Sequence, residues 1–307
     1  AGDLAKGATL YVTLEPCCHT GQTPPCTSSI IKAGITQVVI ATLDPDERMQ
    51  GKGRAILEAA GLNVITGIGE QAARMLNLGY FKTRTDARPM VTLKLATSLD
   101  GKIATYSGHS QWITTSAARQ YTHKLRAEHD AILTGTGTIL ADDPLLTCRL
   151  PGLEEFSPIR IILDSHLRTP LNAKCLLGEP ATWIITTHHA SSHHYHNLQQ
   201  AGITIMATSP TPHQHVNLQE ALALLAENGI TRLLVEAGSK VATSFLKENY
   251  VDHLIVMRAP FFIGGNGLNM IEDLNINRLS EARRWQKIAH HHIDCDIIEE
   301  FIAKQSS

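Results

Sequence analysis

Leu14-Glu15-Pro16-Cys17-Cys18-His19-Thr20-Gly21-Gln22-Thr23-Pro24-Pro25-Cys26 is the stretch from which the fold of the first part of this chain is read. The β-prone residues 9–14 run into it as a strand, and residues 27–33 leave it as a helix. A strand ending in Pro-Cys and a helix opened by Pro-Pro-Cys bring two thiols to a helix N-terminus, where the backbone dipoles favour thiolate. The chain has six cysteines, too few for a disulfide scaffold, and three of them, Cys17, Cys18 and Cys26, crowd into this one stretch. That clustering reads as metal binding or catalysis. Two thiolates alone do not make a zinc site, because a tetrahedral catalytic centre needs a third protein ligand and a water.

Working outward, short apolar runs alternate with helix-like segments, which predicts α/β layers with a largely parallel sheet. Strands are expected at 9–14, 37–42 and 63–66, and helices at 27–33, 53–60 and 70–84. Gly34 and Gly61 follow two of these helices, at the position that takes positive φ. The polar run Arg84-Thr85-Asp86-Ala87-Arg88-Pro89 marks a boundary, dividing the chain into domains 1–86 and 87–307. In the second domain, strands are expected at 91–96, 131–134, 159–163, 182–186, 203–206, 233–236 and 254–258, and helices at 116–126, 218–228 and 240–248. Seven histidines between His188 and His215, and three more at His290 to His292, have no fixed ligand spacing and read as a solvated loop and edge strand.

The length of 307 residues is room for two domains at about 150 residues each. Apolar residues make up 43% and charged residues 18%, and no apolar run is long enough to span a bilayer. With 27 Lys and Arg against 29 Asp and Glu, no basic field points to nucleic acid, so a small-molecule substrate is the expected partner, with no nucleic acid and no membrane.

The string Glu15-Pro16-Cys17-x-His19-x-Gly21-x-Thr23-Pro24-Pro25-Cys26, followed by Asp44-Pro45 and Gly51-x-Gly53, resembles the deaminase domain of the bifunctional riboflavin-biosynthesis deaminase/reductases. The gap of nine positions between Cys17 and Cys26 is the one typical of that branch. The resemblance implies that Cys17 and Cys26 are zinc ligands and that Asp44 and the Gly51-Lys52-Gly53 turn are candidates for substrate contact, although Asp-Pro and Gly-x-Gly are also ordinary turn punctuation. It makes Cys18 a bystander and His19 a loop residue near the substrate. The His-x-Glu pair of the family, its third zinc ligand and acid/base, would lie upstream of Ala1. The expectation is therefore a deaminase domain lacking its front, inactive as this sequence stands.

Further strings continue the resemblance in order: Lys94-Leu95-Ala96-Thr97-Ser98-Leu99-Asp100-Gly101-Lys102, Ser110-Gln111-Trp112, His123-x-x-Arg126, Gly135-Thr136-Gly137-Thr138, Asp142-Asp143-Pro144-Leu145-Leu146-Thr147-x-Arg149, and Glu236-Ala237-Gly238-Ser239. They resemble the reductase half of the same family. The implied fold is α/β throughout, a cytidine-deaminase-like three-layer domain followed by a dihydrofolate-reductase-like domain. Physically, Glu236 to Ser239 is a strand end turning through glycine into a helix, a place that receives phosphate, and Gly135 to Thr138 is a second. Neither is a Rossmann fingerprint.

Carried over by position, Ala96, Trp112, Thr138, Asp142, Ser165 and the run Gly238, Ser239, Lys240, Val241, Ala242, Thr243 and Ser244 belong to an NADPH site. Ser110, Arg126, Leu146, Arg149 and Glu236 belong to the substrate site, where guanidinium groups suit a sugar phosphate. Lys94 and Glu236 are the candidates for positioning and protonation. The implied substrates are pyrimidine ribosyl phosphates, the cofactors Zn2+ and NADPH, and the assembly a cytoplasmic homo-oligomer, dimer or tetramer. The competing readings are a dihydrofolate or pteridine reductase with a structural zinc domain, a nucleic-acid deaminase, which lacks the expected basic stripe, and a zinc-stapled binding module.

Overall fold

The computed structural model describes residues 1–21, 23–188 and 192–304. It comprises two compact units, Ala1–Arg88 and Pro89–Ser307.

In the first unit, β1 (Thr9–Leu14), β2 (Gln37–Thr42) and β3 (Asn63–Thr66) form a parallel sheet in the order β1-β2-β3. The helices are α1 (Cys26–Lys32), α2 (Lys52–Ala59), α3 (Glu70–Leu76) and α4 (Leu78–Thr85). Val38 and Ile40 of the central strand pack with Ile30 of α1 and Leu57 of α2 into a small core. Gly34 and Gly61 end α1 and α2 at φ 69° and 87°, where a Cβ would be strained. One helix was expected over 70–84, but Asn77 divides it in two. Its backbone leaves the helical region (φ −94°, ψ 9°) and its side-chain amide donates to the Ala73 carbonyl at 2.9 Å, competing with the backbone ladder.

The strands of the second unit are β4 (Met90–Thr97), β5 (Lys102–Ala104), β6 (Ala131–Gly135), β7 (Ile159–Leu163), β8 (Thr182–Thr187), β9 (Thr204–Thr208), β10 (Arg232–Val235), β11 (His253–Arg258), β12 (Leu268–Asn269), β13 (Trp285–Ile293) and β14 (Asp296–Ala303). Among the described residues, nine of them make one sheet in the order β13-β14-β11-β4-β10-β6-β7-β8-β9, parallel from β11 to β9, with β14 and β13 added antiparallel. The strands β5 and β12 form a separate antiparallel ribbon. The helices are α5 (Ser116–Ala127), α6 (Thr136–Asp142), α7 (Ser192–Gln200), α8 (Leu218–Glu227) and α9 (Ser239–Lys247).

Both faces of this sheet are covered, which is why its inner strands read as continuous apolar runs. Along β10, Leu233 and Val235 pack with Leu222 of α8 and Phe245 of α9, while Leu234 between them joins Leu125 of α5 and Ile139 of α6 on the opposite face. The histidine tract differs from its expectation: part of it folds as α7, whose Leu198 is fully buried, before the edge strand β9. His189 and the side chain of His193 lie outside the described residues. His290 to His292 lie on β13, the other edge. No helix among the described residues is long and apolar enough to cross a membrane.

Candidate active site

Parallel strands end together, so the turns that leave them share one edge. At that edge β10 passes through Gly238 into α9, and its neighbour β6 passes through Gly135 into α6. Neither glycine can cap its helix through a side chain, which leaves first-turn amides available to an anion. The turns are close-fitting, since a Cβ on Gly135 would stand 2.8 Å from Cγ2 of Val241 on α9. At the start of α9 the Ser239 hydroxyl donates to Glu272 Oε1 at 3.2 Å, and Thr243 Oγ1 accepts from the Glu272 amide at 2.8 Å.

Below these turns lies a buried charge cluster. The register pairs Leu93 of β4 with Val235 of β10, so the next residues, Lys94 and Glu236, stand abreast. Lys94 Nζ is 3.8 Å from Glu236 Oε2, with side chains 13% and 11% exposed. From the last turn of α5, Arg126 clamps the same carboxylate through Nε at 2.8 Å and Nη2 at 3.0 Å, and its Nη1 donates to the Thr147 carbonyl at 2.9 Å. Burial pushes the Lys94 ammonium below its usual range, with the Glu236 charge pulling it back up and Arg126 opposing. For Glu236 burial works upward, but the Arg126 and Lys94 charges overcome it and hold the carboxyl at about 2.

Arg149 lies next to this cluster and is exposed, with a long 3.4 Å contact from Nη1 to Thr147 Oγ1. Its backbone amide donates to Nδ1 of His123 at 3.2 Å. Burial, then the Arg126 and Arg149 charges, push that imidazole down to about 4, so it is neutral at pH 7. His123 was absent from the expected site. Its spacing of three from Arg126 on α5, which puts both on one helical face, was the available signal.

The remaining expected residues are distributed as follows. Ser110 hydrogen-bonds Asp142, whose carboxyl burial pushes up and this bond pulls down. Ala96 and Thr138 are half-buried on β4 and α6. Trp112 is 65% exposed, with the Arg119 guanidinium 4.4 Å from its ring centroid, so it is no core residue. Leu146 is buried at φ 58°. Ser165 is occupied by backbone, its Oγ accepting from Val216 N at 3.1 Å. Along α9, Lys240 and Ser244 are exposed and Val241 is half-buried, whereas Ala242 is fully buried in the core.

In the first unit, Cys26 opens α1 and its amide donates to Cys17 Sγ at 3.2 Å, so the two sulfurs share one corner. The hydrogen bond with Cys17, then burial, push the Cys26 thiol up. Cys18 and His19 turn instead to Met49, at 3.6 and 3.0 Å from its Sδ. The buried Glu15 carboxylate gathers the amides of Asp44 (3.2 Å), Gly51 (3.0 Å) and Arg54 (2.9 Å), tying the start of α2 to the cysteine loop. Gly53 is required there, because a Cβ would come within 2.1 Å of the Pro16 carbonyl. Asp44 is 5% exposed and receives the Tyr80 hydroxyl at 3.1 Å and the Asp46 amide at 2.9 Å. The donor chemistry of Cys17 and Cys26 suits zinc at two corners. Among the described residues no group of three His, Cys, Asp or Glu side chains converges to complete it.

Both units match known proteins. Residues 89–298 match the RibD C-terminal domain, and residues 2–42 match the cytidine and deoxycytidylate deaminase zinc-binding region. The riboflavin biosynthesis protein RibD of Aquifex aeolicus is 44% identical over 298 residues, covering 97% of this chain and 81% of that protein. The solved structure of Acinetobacter baumannii RibD, form 1, superposes with a TM-score of 0.88 at 36% identity, covering 99% of this chain and 83% of that one. A Thermotoga maritima structure described as a diaminohydroxyphosphoribosylaminopyrimidine deaminase/5-amino-6-(5-phosphoribosylamino)uracil reductase gives 0.83 at 32% identity, covering 97% and 80%. The fold is thus deaminase-like followed by dihydrofolate-reductase-like α/β, and the folate-reductase alternative is not favoured. The chain belongs to the RibD family, the deaminase/reductase enzymes of riboflavin biosynthesis.

Proposed function

We propose that the second unit reduces 5-amino-6-(5-phosphoribosylamino)uracil to its ribityl product with NADPH, and that Cys17 and Cys26 are zinc ligands of a domain that deaminates the preceding pyrimidinone phosphate. The observation that carries the reductive reading is the buried Lys94, Glu236 and Arg126 cluster beside the uncapped start of α9.

The two glycine turns suit a dinucleotide's phosphates, and the exposed Lys240 adds positive charge beside them. When bound, NADPH supplies the hydride that converts C1′ of the open-chain ribosyl group to a methylene. The protein's part is to hold a proton ready for the nitrogen or oxygen that gains charge as this happens. Lys94 is the donor in this reading: burial makes its ammonium more acidic, and the Glu236 carboxylate opposes that shift and orients it. Arg126 is already committed to Glu236 and Thr147, so it orients the carboxylate, which leaves the exposed Arg149 as the main guanidinium for the sugar phosphate. Ser110 and Leu146 border the substrate, and Ala96, Trp112, Thr138 and Asp142 the cofactor. The described residues bring no third ligand to Cys17 and Cys26. By the same family reading we take the enzyme to be a cytoplasmic homo-oligomer, dimer or tetramer.

The test is to incubate the chain with NADPH and either the ribosylaminouracil phosphate or dihydrofolate, following loss of reduced cofactor. Turnover of the first alone is expected. Turnover of dihydrofolate alone overturns the reading.

A further inference from the structure

Residues 259–272 leave the end of β11 and reach the start of α9, and they are tied down along the way. The Ala259 amide donates to the Thr97 carbonyl at 2.9 Å and the Leu99 amide to the Phe261 carbonyl at 2.8 Å. The Asp100 carboxylate then takes the amides of Ile263 (3.1 Å) and Gly264 (2.8 Å) together with the Ser98 hydroxyl (2.6 Å). Met270 donates to the Gly101 carbonyl at 3.0 Å, Lys102 Nζ to Asn269 Oδ1 at 2.5 Å, and the Glu272 amide to Thr243 Oγ1 at 2.8 Å.

The sheet order β11-β4-β10, with α9 following β10, means that a segment running from β11 to α9 crosses the C-terminal edge of β4. Glu236 directly follows β10 at that edge, and Lys94, its partner at 3.8 Å, lies three residues before the end of β4. The backbone is shaped for the clasp. Gly264 stands at φ 102°, and a Cβ on Gly267 would press within 2.7 Å of Ile263 Cγ2 and 3.0 Å of the Ala104 carbonyl. Phe261 and Phe262 stand at the clasped end, 40% and 72% exposed.

We propose that Asp100 is a positioning residue for the reduction: its carboxylate clasps the Phe261 to Gly267 strap across the end of β4 and closes the pyrimidine substrate in on the side away from the phosphate turns. This rests on the reductase reading above. A carboxylate is needed because every donor aimed at Asp100 is an N–H or O–H. An amide in its place would turn an NH2 toward one of them.

The experiment uses the full chain with Asp100→Ala and Asp100→Asn. Chymotrypsin, which cuts after phenylalanine, reads the strap directly without substrate. In Asp100→Ala, cleavage after Phe261 and Phe262 under native conditions is expected to rise about tenfold or more, as local opening becomes more populated. KM for the ribosylaminouracil phosphate is expected to rise about tenfold and KM for NADPH by less than about threefold, with kcat within about twofold, since Lys94, Glu236 and Arg126 are untouched. Asp100→Asn, which keeps one acceptor, should fall between wild type and Asp100→Ala in both assays. If Asp100→Ala fails to fold, Asp100→Asn decides alone.

Unchanged cleavage overturns the clasp, and faster cleavage with unchanged KM overturns its role in substrate binding. Loss of kcat and stability, with no separate change in KM, reduces Asp100 to a general structural residue. If the wild-type chain reduces no pyrimidine phosphate, the reductase reading has failed and the role in reduction falls with it, while the proteolysis still reports whether Asp100 holds the strap.

Discussion

Replacing Glu236 by Gln keeps the shape of the site and removes the carboxylate that Lys94 and Arg126 share. At 3.8 Å and an effective dielectric of about 20, the attraction between Lys94 and Glu236 is about 4 kcal/mol, equivalent to about 3 pK units as an upper bound. Burial already lowers the Lys94 pKa, and losing the Glu236 charge that opposes this lowers it further. The limb of the reductase pH profile that requires protonated Lys94 should move toward acid by about 1 to 3 units. Arg126 cannot shed its charge and is left buried without a counterion, so the variant should also lose about 3–5 kcal/mol of stability in urea unfolding.

The folded-state pKa of Glu236 is depressed from 4.5 to about 2, so its stabilisation, about 3 kcal/mol, is present above pH 4.5 and lost as pH falls toward 2. Glu236→Gln should flatten that limb of the stability curve. An unmoved kinetic limb together with a stability change under about 0.5 kcal/mol would refute the assignment of Lys94 and Glu236 as an interacting buried pair.

Other expectations follow from the same structure. Arg149→Ala should raise KM for the pyrimidine phosphate about tenfold or more and leave KM for NADPH unchanged, as measured by steady-state kinetics. Because the His123 pKa is depressed to about 4 from 6.5, its contribution to stability holds above pH 6.5 and is lost as pH falls through 4, and His123→Gln should remove that slope in acid unfolding. In the first unit, Gly53→Ala drives a Cβ against the Pro16 carbonyl and should cost about 1–3 kcal/mol in urea unfolding. Glu15→Ala, which strands the amides of Asp44, Gly51 and Arg54, should cost about 3 kcal/mol or more in the same assay.

The sequence showed most clearly those elements whose burial is uniform along their length. The strands of the parallel sheet are covered on both faces and so appear as plain apolar runs, such as 159–163. Gly34 and Gly61 mark their helix ends because only a residue without a Cβ suits that backbone. The C-terminal hairpin was legible only in part: the histidines of β13 suggested a loop and edge strand, and β14 was not expected. Among the described residues one edge of β13 has no strand partner, and it carries Gln286, Lys287 and three histidines, so its composition does not separate strand from loop. Asn77 hid the break between α3 and α4 inside an otherwise helical pattern.

Within the site, Lys94, Arg126 and Glu236 came from motif strings, whereas the division of labour between Arg126 and Arg149 depends on which guanidinium Glu236 occupies. No spacing in the sequence encodes that choice. Asp100 stands out in the sequence only as part of a string, because its partners at Ile263 and Gly264 lie more than 160 positions away. Glu15 in Glu-Pro-Cys shows the converse: a residue in the most diagnostic motif whose contacts are wholly structural.

The pairing of Leu93 with Val235 sets the register of β4 against β10. Val91, Leu93 and Leu95 face one core, and Lys94 lies between them on the opposite face. A slip of one residue between β4 and β10 would therefore carry the lysine to the wrong side of the sheet along with every leucine. The apolar side chains of β4 act as the gauge that keeps an ammonium and a carboxylate, 142 positions apart in the chain, within 4 Å of each other. Substitutions deep in that core, which touch no ligand, should thus register as errors of alignment in the chemistry as well as losses of stability.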